Sequence, residues 1–137
     1  HEADIDVLAN YIVGLPGETK ESMQTTLDLS MELCTRGWNM YAATALPGSR
    51  LYRTAVNIGH ELPKDYIGYS FHSYEALPLP TDALSPAEIL KFRDNAWTEY
   101  HTYEPFLDLI EEKSGTKARE DILKMTEVKL KRKILGD

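Results

Sequence analysis

Residues 10–19 read Asn-Tyr-Ile-Val-Gly-Leu-Pro-Gly-Glu-Thr, and the rest of the chain is organised around this stretch. Its apolar first half is typical of a β-strand, and the two glycines and the proline that follow turn the backbone. Glu18 and Thr19 open a polar stretch that predicts the first turn of a helix. Because glycine has no Cβ, a ligand can approach the backbone of such a turn closely, and the helix behind it offers N–H groups at its positive end.

A helix is predicted over residues 20–36, with Thr19 as the N-cap whose hydroxyl accepts a hydrogen bond from the first turn. Gly37 is expected to end this helix in the left-handed conformation. The predicted apolar face consists of Met23, Leu27, Met31 and Cys34, widened by Leu29 and Leu33.

A second apolar run, residues 38–46, stops at a second turn, Pro47-Gly48-Ser49. The two runs lie about 30 residues apart, which is the spacing of one βαβ unit. Because both runs are apolar rather than alternating, they predict a parallel sheet that is covered on both faces. Ser49 is the predicted cap of a short helix over residues 50–58, which Gly59 ends.

The order of these motifs, YIVGLPGET, a helix and then YAATALPGSRLY, resembles the later strands of radical S-adenosylmethionine (SAM) enzymes. In that family a GLPGET loop follows the fifth strand, and a Pro-Gly-Ser or Pro-Gly-Thr turn follows the sixth. The resemblance covers residues 5–58 and continues more loosely to about residue 103. Within the family, the chain is most similar to the subgroup that often carries an upstream cobalamin-binding domain. The fold class that this implies is α/β, a partial (β/α) barrel that contributes its last strands from residues 1–58.

The resemblance also implies where SAM would bind. In the family an apolar residue near the end of the fifth strand packs on the adenine, and Ile12 matches that position. Backbone groups after the sixth strand hydrogen-bond the adenine edge. The implied cofactor-binding residues are Ile12, Gly14, Pro16, Gly17, Thr44, Ala45 and Leu46. The family's adenine motif is often written GxIxGxxE; here Asn10 stands at its first glycine and Glu18 comes one residue late.

Radical SAM chemistry starts at a [4Fe–4S] cluster, whose ligands in the family are three cysteines spaced CxxxCxxC. This chain has a single cysteine, Cys34, and its place on an apolar helix face predicts core packing. The cluster ligands are therefore expected upstream, in a longer parent protein. The chain starts without methionine, as expected of an excised piece, and by itself it should be catalytically inactive.

Composition excludes several other classes. The net charge of −7 argues against nonspecific nucleic-acid binding, and no apolar run approaches the length of a membrane span. One cysteine excludes an internal disulfide, and with no signal peptide it predicts a cytoplasmic setting. The histidines His60, His72 and His101 are too scattered to predict a metal site. No serine has a histidine placed for nucleophilic hydrolysis, so a hydrolase that uses the Gly-rich turn ranks low.

Residues 59–84 are rich in proline and aromatic residues, which predicts an ordered strap lying over other structure. A short strand around residues 69–74 is an option within it. Residues 85–137 predict an all-helical C-terminal region. Its first helix begins at the capping box Ser85-Pro86-Ala87-Glu88 and buries one face. That face comprises Ile89, Phe92, Ala96 and Tyr100, with Trp97 alongside.

Two more helices are predicted in this region. One spans residues 106–113, and another runs from Thr116 toward Leu135. The basic run over residues 129–133 is expected at the C-terminus of that last helix, where cations are favoured.

The expected function is that of the C-terminal part of a radical SAM enzyme, which cleaves SAM reductively and abstracts hydrogen from an unknown substrate. The competing hypothesis is a non-catalytic α/β interaction module with a helical docking tail. The implied cofactors are SAM and the cluster of the parent, with cobalamin in an upstream domain as a further option. The expected partner is the rest of the polypeptide, and neither nucleic acid nor a membrane is one. A homodimer is also expected, because a cut barrel leaves an unpaired strand edge.

Overall fold

The computed structural model describes Ala3 and residues 5–137; residues 1, 2 and 4 of the predicted 1–58 region lie outside this described part. The fold is mixed α/β, with a two-stranded parallel sheet and five α-helices among the described residues. In chain order the elements are β1 Leu8–Val13, α1 Lys20–Leu33, β2 Gly37–Ala42, α2 Arg50–Asn57, α3 Pro86–His101, α4 Glu104–Ser114 and α5 Thr116–Thr126. Within this part of the chain, no helix is long and apolar enough to cross a membrane.

The predicted βαβ unit is present. β1 and β2 pair in parallel, from Leu8 opposite Gly37 to Val13 opposite Ala42, and α1 connects them. The prediction that both faces of the sheet are covered is wrong. Ala9, Tyr11 and Val13 of β1 face the helices together with the buried even-numbered residues of β2, whereas the other face of β1 is exposed. Leu8 and Ile12 keep 63% and 51% of their surface on that open face.

The end of α1 differs from the prediction. The helix stops at Leu33, and Cys34 rather than Gly37 takes the left-handed conformation, at φ 44°. Gly37 instead starts β2, where a Cβ would come within 3.2 Å of Leu8 Cα and Cβ in the paired strand. The apolar face of α1 is also narrower than predicted: Leu29 and Leu33 are each 48% exposed, because the sheet beneath is only two strands wide.

Helix α3 lies across β2 and supplies more residues of the main core than any other element. Its capping box forms as predicted, with Ser85 Oγ accepting from the Glu88 N–H and the Glu88 carboxylate accepting from the Ser85 N–H. Tyr100 is fully buried and stacks on Trp38 with ring centroids 4.9 Å apart. The buried core residues of the sheet and helices are Val13, Met23, Leu27, Trp38, Met40, Ala42, Ile89, Leu90, Ala96, Tyr100, Phe106, Leu107 and Ile110.

The last helix is shorter than predicted. α5 ends at Thr126, and the basic run over residues 129–133 is not its C-terminus. Past α5, Val128 is 71% and Leu130 41% exposed, so no apolar face was present to extend the helix. The chain then forms a single 3₁₀ turn, Lys133–Leu135, beside which Arg132 is fully buried.

Residues 59–84, which we call the strap, contact β2 and α3, and the optional strand at residues 69–74 does not form. A 3₁₀ turn, Tyr66–Tyr69, stands at the start of that stretch. Leu79 donates its N–H to the Ala43 carbonyl just past β2, at 2.9 Å. Gly68, Ala76, Pro78 and Leu79 are buried, whereas most of the strap is partly or fully exposed. The strap is therefore attached at few points.

Candidate functional site

Each strand is followed by a loop with the sequence Leu-Pro-Gly, and each loop is followed by a capped helix. In the first loop the Glu18 N–H donates to the Leu15 carbonyl at 3.0 Å, and in the second the Ser49 N–H donates to the Leu46 carbonyl at 3.0 Å. Gly17 and Gly48 occupy the third turn position with φ of 84° and 88°. Proline second and a left-handed glycine third are the signature of a type II turn.

The caps behind the loops were predicted correctly. Thr19 Oγ1 accepts from the Ser22 N–H at the start of α1, and Ser49 Oγ accepts from the Tyr52 N–H at the start of α2. Because the strands are parallel, both loops and both helix N-termini lie at the carboxyl edge of the sheet. This is the edge at which parallel α/β folds bind ligands. We therefore take it as the candidate site.

The first loop disfavours the binding of an anion. The Glu18 carboxylate accepts a hydrogen bond from the Leu15 N–H at 2.8 Å, so the loop's own side chain takes a donor that a phosphate would need. Glu21 adds a second negative charge in the first turn of α1. A ligand at this edge is better matched by an uncharged ring or an apolar group than by a phosphate.

The implied SAM residues of the first loop fall into two groups. Ile12 lies on the open face of the sheet, where half of its side chain is free to contact a ligand, and Pro16 and Gly17 are exposed at the loop tip. Gly14 is buried instead. A Cβ on it would come within 2.6 Å of Ile89 Cγ2, and its φ is 78°. Gly14 therefore lets α3 pack against the end of β1 and does not line the open edge.

The second loop divides in the same way. Ala45 is buried in a small cluster with Ala55 and Leu79, so only its backbone could reach a ligand. Leu46 is 56% exposed, but its N–H already donates to the Thr44 carbonyl at 3.0 Å. Thr44 is half-buried, and its hydroxyl donates to the Ala42 carbonyl. The side chains that the sheet brings to the open edge are therefore Ile12 and Leu46.

Next to Ile12 the open face is polar. Asn10 Oδ1 accepts from Asn39 Nδ2 at 3.1 Å and from the Tyr41 hydroxyl at 3.4 Å, and Tyr41 stands opposite Ile12 in the paired register. Phe71 of the strap meets the Tyr41 ring edge-on with centroids 5.0 Å apart. Beside Ile12 the face thus offers an amide pair and an aromatic ring. Asn10, Asn39 and Tyr41 were not assigned to the site from the sequence, although their alternation with the buried residues is the signal that could have found them.

Burial shifts the pKa values of several ionisable side chains among the described residues. Burial raises the pKa of the Cys34 thiol, which keeps it protonated, and burial lowers the pKa of His101, whose ring stacks on Trp97. Burial, helped by two nearby arginines, also lowers the pKa of His72. Among the described residues, no group of three histidine, cysteine or acidic side chains is placed to hold a metal ion.

Three charged residues missed by the sequence analysis form a buried cluster behind the site. Arg93 donates through Nε to the Met40 carbonyl at the outer edge of β2, at 2.9 Å. Asp94 receives hydrogen bonds from both Arg93 and Arg132. Arg93 could have been found, since it falls on the helical stripe between Ile89 and Ala96. Nothing local marks Arg132.

A groove of about 330 Å³ lies at the opposite, amino end of the sheet, lined by Val7, Ala9, Leu33, Leu109 and neighbouring residues. It is remote from both loops, and none of the implied SAM residues lines it. Comparisons of the chain with protein-family models, with curated proteins and with solved structures found no match.

Proposed function

We propose that this chain is the C-terminal part of a radical SAM enzyme, with β1 and β2 as the last two strands of its partial (β/α) barrel. The observation that carries the proposal is the exposed Ile12 on the uncovered sheet face, beside two Leu-Pro-Gly loops at one edge. A barrel strand has its helix on one side and the ligand-holding interior on the other. In this sheet the covered face would correspond to the helix side of a barrel strand, and the open face to the interior side.

The two edges of the sheet also support the proposal. In β1 the carbonyls of Val7 and Val13 accept from β2, so Leu8, Asn10 and Ile12 direct their backbone groups to the outer edge. β1 pairs with β2 alone in the described part of the chain. The outer edge of β2 is instead covered by Arg93 and Leu79. Further strands would therefore add beside β1, which is where strands from an upstream segment belong.

The chain's own residues fit part of the cofactor set. Ile12 offers an apolar surface for an adenine ring, and the first loop, whose Leu15 N–H is already taken by the Glu18 carboxylate, suits an uncharged ring better than an anion. The cluster does not fit, because Cys34 is the chain's one cysteine and is half-buried at the end of α1. The cluster ligands would have to come from the parent, where the cluster would supply the electron for SAM cleavage. The role of this chain is to hold the adenine and to exclude water from it.

The cheapest test is the sequence upstream. A CxxxCxxC motif within roughly the preceding hundred residues supports the proposal, and its absence from the whole protein rejects it. A functional test uses the intact parent: Ile12→Asp places a carboxylate against the adenine face and should abolish turnover. Leu29→Asp, on the exposed side of α1, is the matched control. Unchanged turnover of Ile12→Asp removes Ile12 from the site.

The isolated chain should bind SAM weakly or not at all, because the cluster and the earlier strands hold most of the ligand. Calorimetric titration measures this directly, and a dissociation constant below one micromolar would contradict the prediction.

The second candidate is an interaction module without catalysis, favoured by the open edge of β1. Two copies could pair there, and sedimentation at tens of micromolar would then give twice the chain mass. A docking role for the helices is less well supported, because α3 and α4 already bury their apolar faces within the chain.

A further inference from the structure

Arg132 is a fully buried arginine whose charge is matched inside the protein. Its Nε and Nη2 donate to the two carboxylate oxygens of Asp94, each at 2.8 Å. Asp94 also accepts from Arg93 Nη1 at 3.0 Å. A buried arginine is tolerated only with such partners, and removing one of them is strongly destabilising. The position of residues 132–137, which we call the hook, is therefore fixed on α3.

The hook in turn holds the strap. Arg132 Nη1 donates to the Ser73 carbonyl at 2.8 Å, and the Lys133 N–H donates to the Tyr74 carbonyl at 3.0 Å. The Tyr74 hydroxyl donates back to the carbonyl of Asp137 at 3.0 Å. The hook thus contacts consecutive strap residues with both its side chains and its backbone.

Elsewhere the strap is attached by few polar contacts and by Ala76 and Leu79, which are buried in the two core clusters. Leu79 bonds to the carbonyl past β2, and Phe71 lies between the Tyr41 ring and the Arg93 guanidinium, which is 5.2 Å from the Phe71 centroid. Phe71 and Leu77 close over Ala42 and Leu90, leaving no space for a ligand between them. The strap therefore covers apolar surface next to Thr44 and the Tyr41 side of the candidate site.

We propose that the hook is a latch for the strap. When Arg132 leaves Asp94, residues 66–79 open as a unit, while the βαβ unit and α3 remain folded. Opening frees the Tyr41 ring and exposes the surface of Ala42 and Leu90, which makes the strap a gate at the candidate site. The proposal follows from the hydrogen bonds of Arg132 and stands independently of the radical SAM assignment.

Hydrogen exchange followed residue by residue tests the latch. The probes are the strap amides of Leu77, bonded to the Gly68 carbonyl, and of Leu79; the reference is the set of buried amides in α3. In Arg132→Met the strap amides should exchange at least about tenfold faster than in the wild type, and they should still exchange through an opening of lower free energy than the opening that exposes the α3 amides. The latch is rejected if the strap amides are unchanged, or if strap and α3 amides exchange with the same free energy of opening.

Lys133→Met is the matched control. Its side chain is 63% exposed and pairs with Glu75 at the surface, while the backbone bond to Tyr74 is kept. Exposed pairs of this kind contribute little, so strap exchange should stay within about twofold of the wild type. A tenfold increase in this control would overturn the assignment of the latch to Arg132.

A measurement on the wild type decides the matter if Arg132→Met does not fold. In increasing low concentrations of denaturant, strap amides should exchange through an opening that has a lower free energy and a smaller denaturant dependence than that of α3. A single common opening for strap and α3 amides would show that they form one cooperative unit, which contradicts the latch.

Discussion

Gly14 is the position where an experiment can separate the need for a positive φ in the loop from the close packing of α3. It has φ of 78°, and an added Cβ would come within 2.6 Å of Ile89 Cγ2 and 3.2 Å of Ile89 Cδ1. Gly17, three residues later in the same loop, has φ of 84° with nothing within 4 Å of its Cβ position. The two glycines share the backbone requirement and differ in the steric one.

The expected costs follow from that difference. An alanine in the left-handed region costs about 1–2 kcal/mol, and this is all that Gly17→Ala should lose in free energy of unfolding. Gly14→Ala adds overpacking against a fully buried side chain, which costs about 1–3 kcal/mol more. The free energy of unfolding should therefore fall by about 2–5 kcal/mol in Gly14→Ala.

Urea denaturation followed by circular dichroism measures both variants, and Gly48→Ala provides a second open-space control at φ of 88°. A double-mutant cycle with Ile89→Ala isolates the steric part. The double variant should be more stable than the sum of the single losses predicts, by about 1–3 kcal/mol, because the collision is gone. Equal losses for Gly14→Ala and Gly17→Ala would refute the close approach of α3 to the first loop.

Two further predictions concern two tyrosine hydroxyls and two histidines, of which His101 is half-buried and His72 lies at the surface. In Tyr100→Phe the free energy of unfolding should fall by about 1–2 kcal/mol, because the hydroxyl donates to the Thr35 carbonyl at 2.7 Å. In Tyr11→Phe it should not fall, since the buried hydroxyl has no partner among the described residues. Thermal or urea unfolding measures both. Burial lowers the pKa of His72 and His101 below the ordinary 6.5, so on acidification the unfolded chain takes up these protons first. The stability that the neutral histidines contribute is complete above about pH 6.5 and is lost as the pH falls through their folded pKa values. In His101→Phe the free energy of unfolding should depend less on pH over this range. An unchanged pH dependence would contradict the assignment.

The local chemistry of the sequence predicted the loops and caps well. Leu-Pro-Gly followed by a threonine or serine cap needs only neighbouring residues, so both turns and the Thr19, Ser49 and Ser85 caps could be predicted. The exposure of Leu8 and Ile12 on the open face could not be predicted, because they are as apolar as the buried strand residues. Whether an apolar side chain is covered depends on which elements the whole fold places above it.

The hook shows the same limit more strongly. Taken locally, residues 129–133 are a basic run that suits a helix C-terminus, and that prediction was wrong. Arg132 is buried because Asp94, 38 positions earlier, and the Ser73 carbonyl, 59 positions earlier, meet it in space. Long-range pairing of this kind leaves no periodic signal in the sequence.

That separation also sets the order in which the chain can be completed during synthesis. Ser73 is synthesised 59 residues before its partner Arg132. At elongation rates of 5–20 residues per second, the interval is roughly 3–12 s. The β1–α1–β2 unit is finished by then, but the bonds between the strap and the hook have not formed. Nascent chains of this protein therefore pass several seconds with a strap that only its contacts to β2 and α3 can hold.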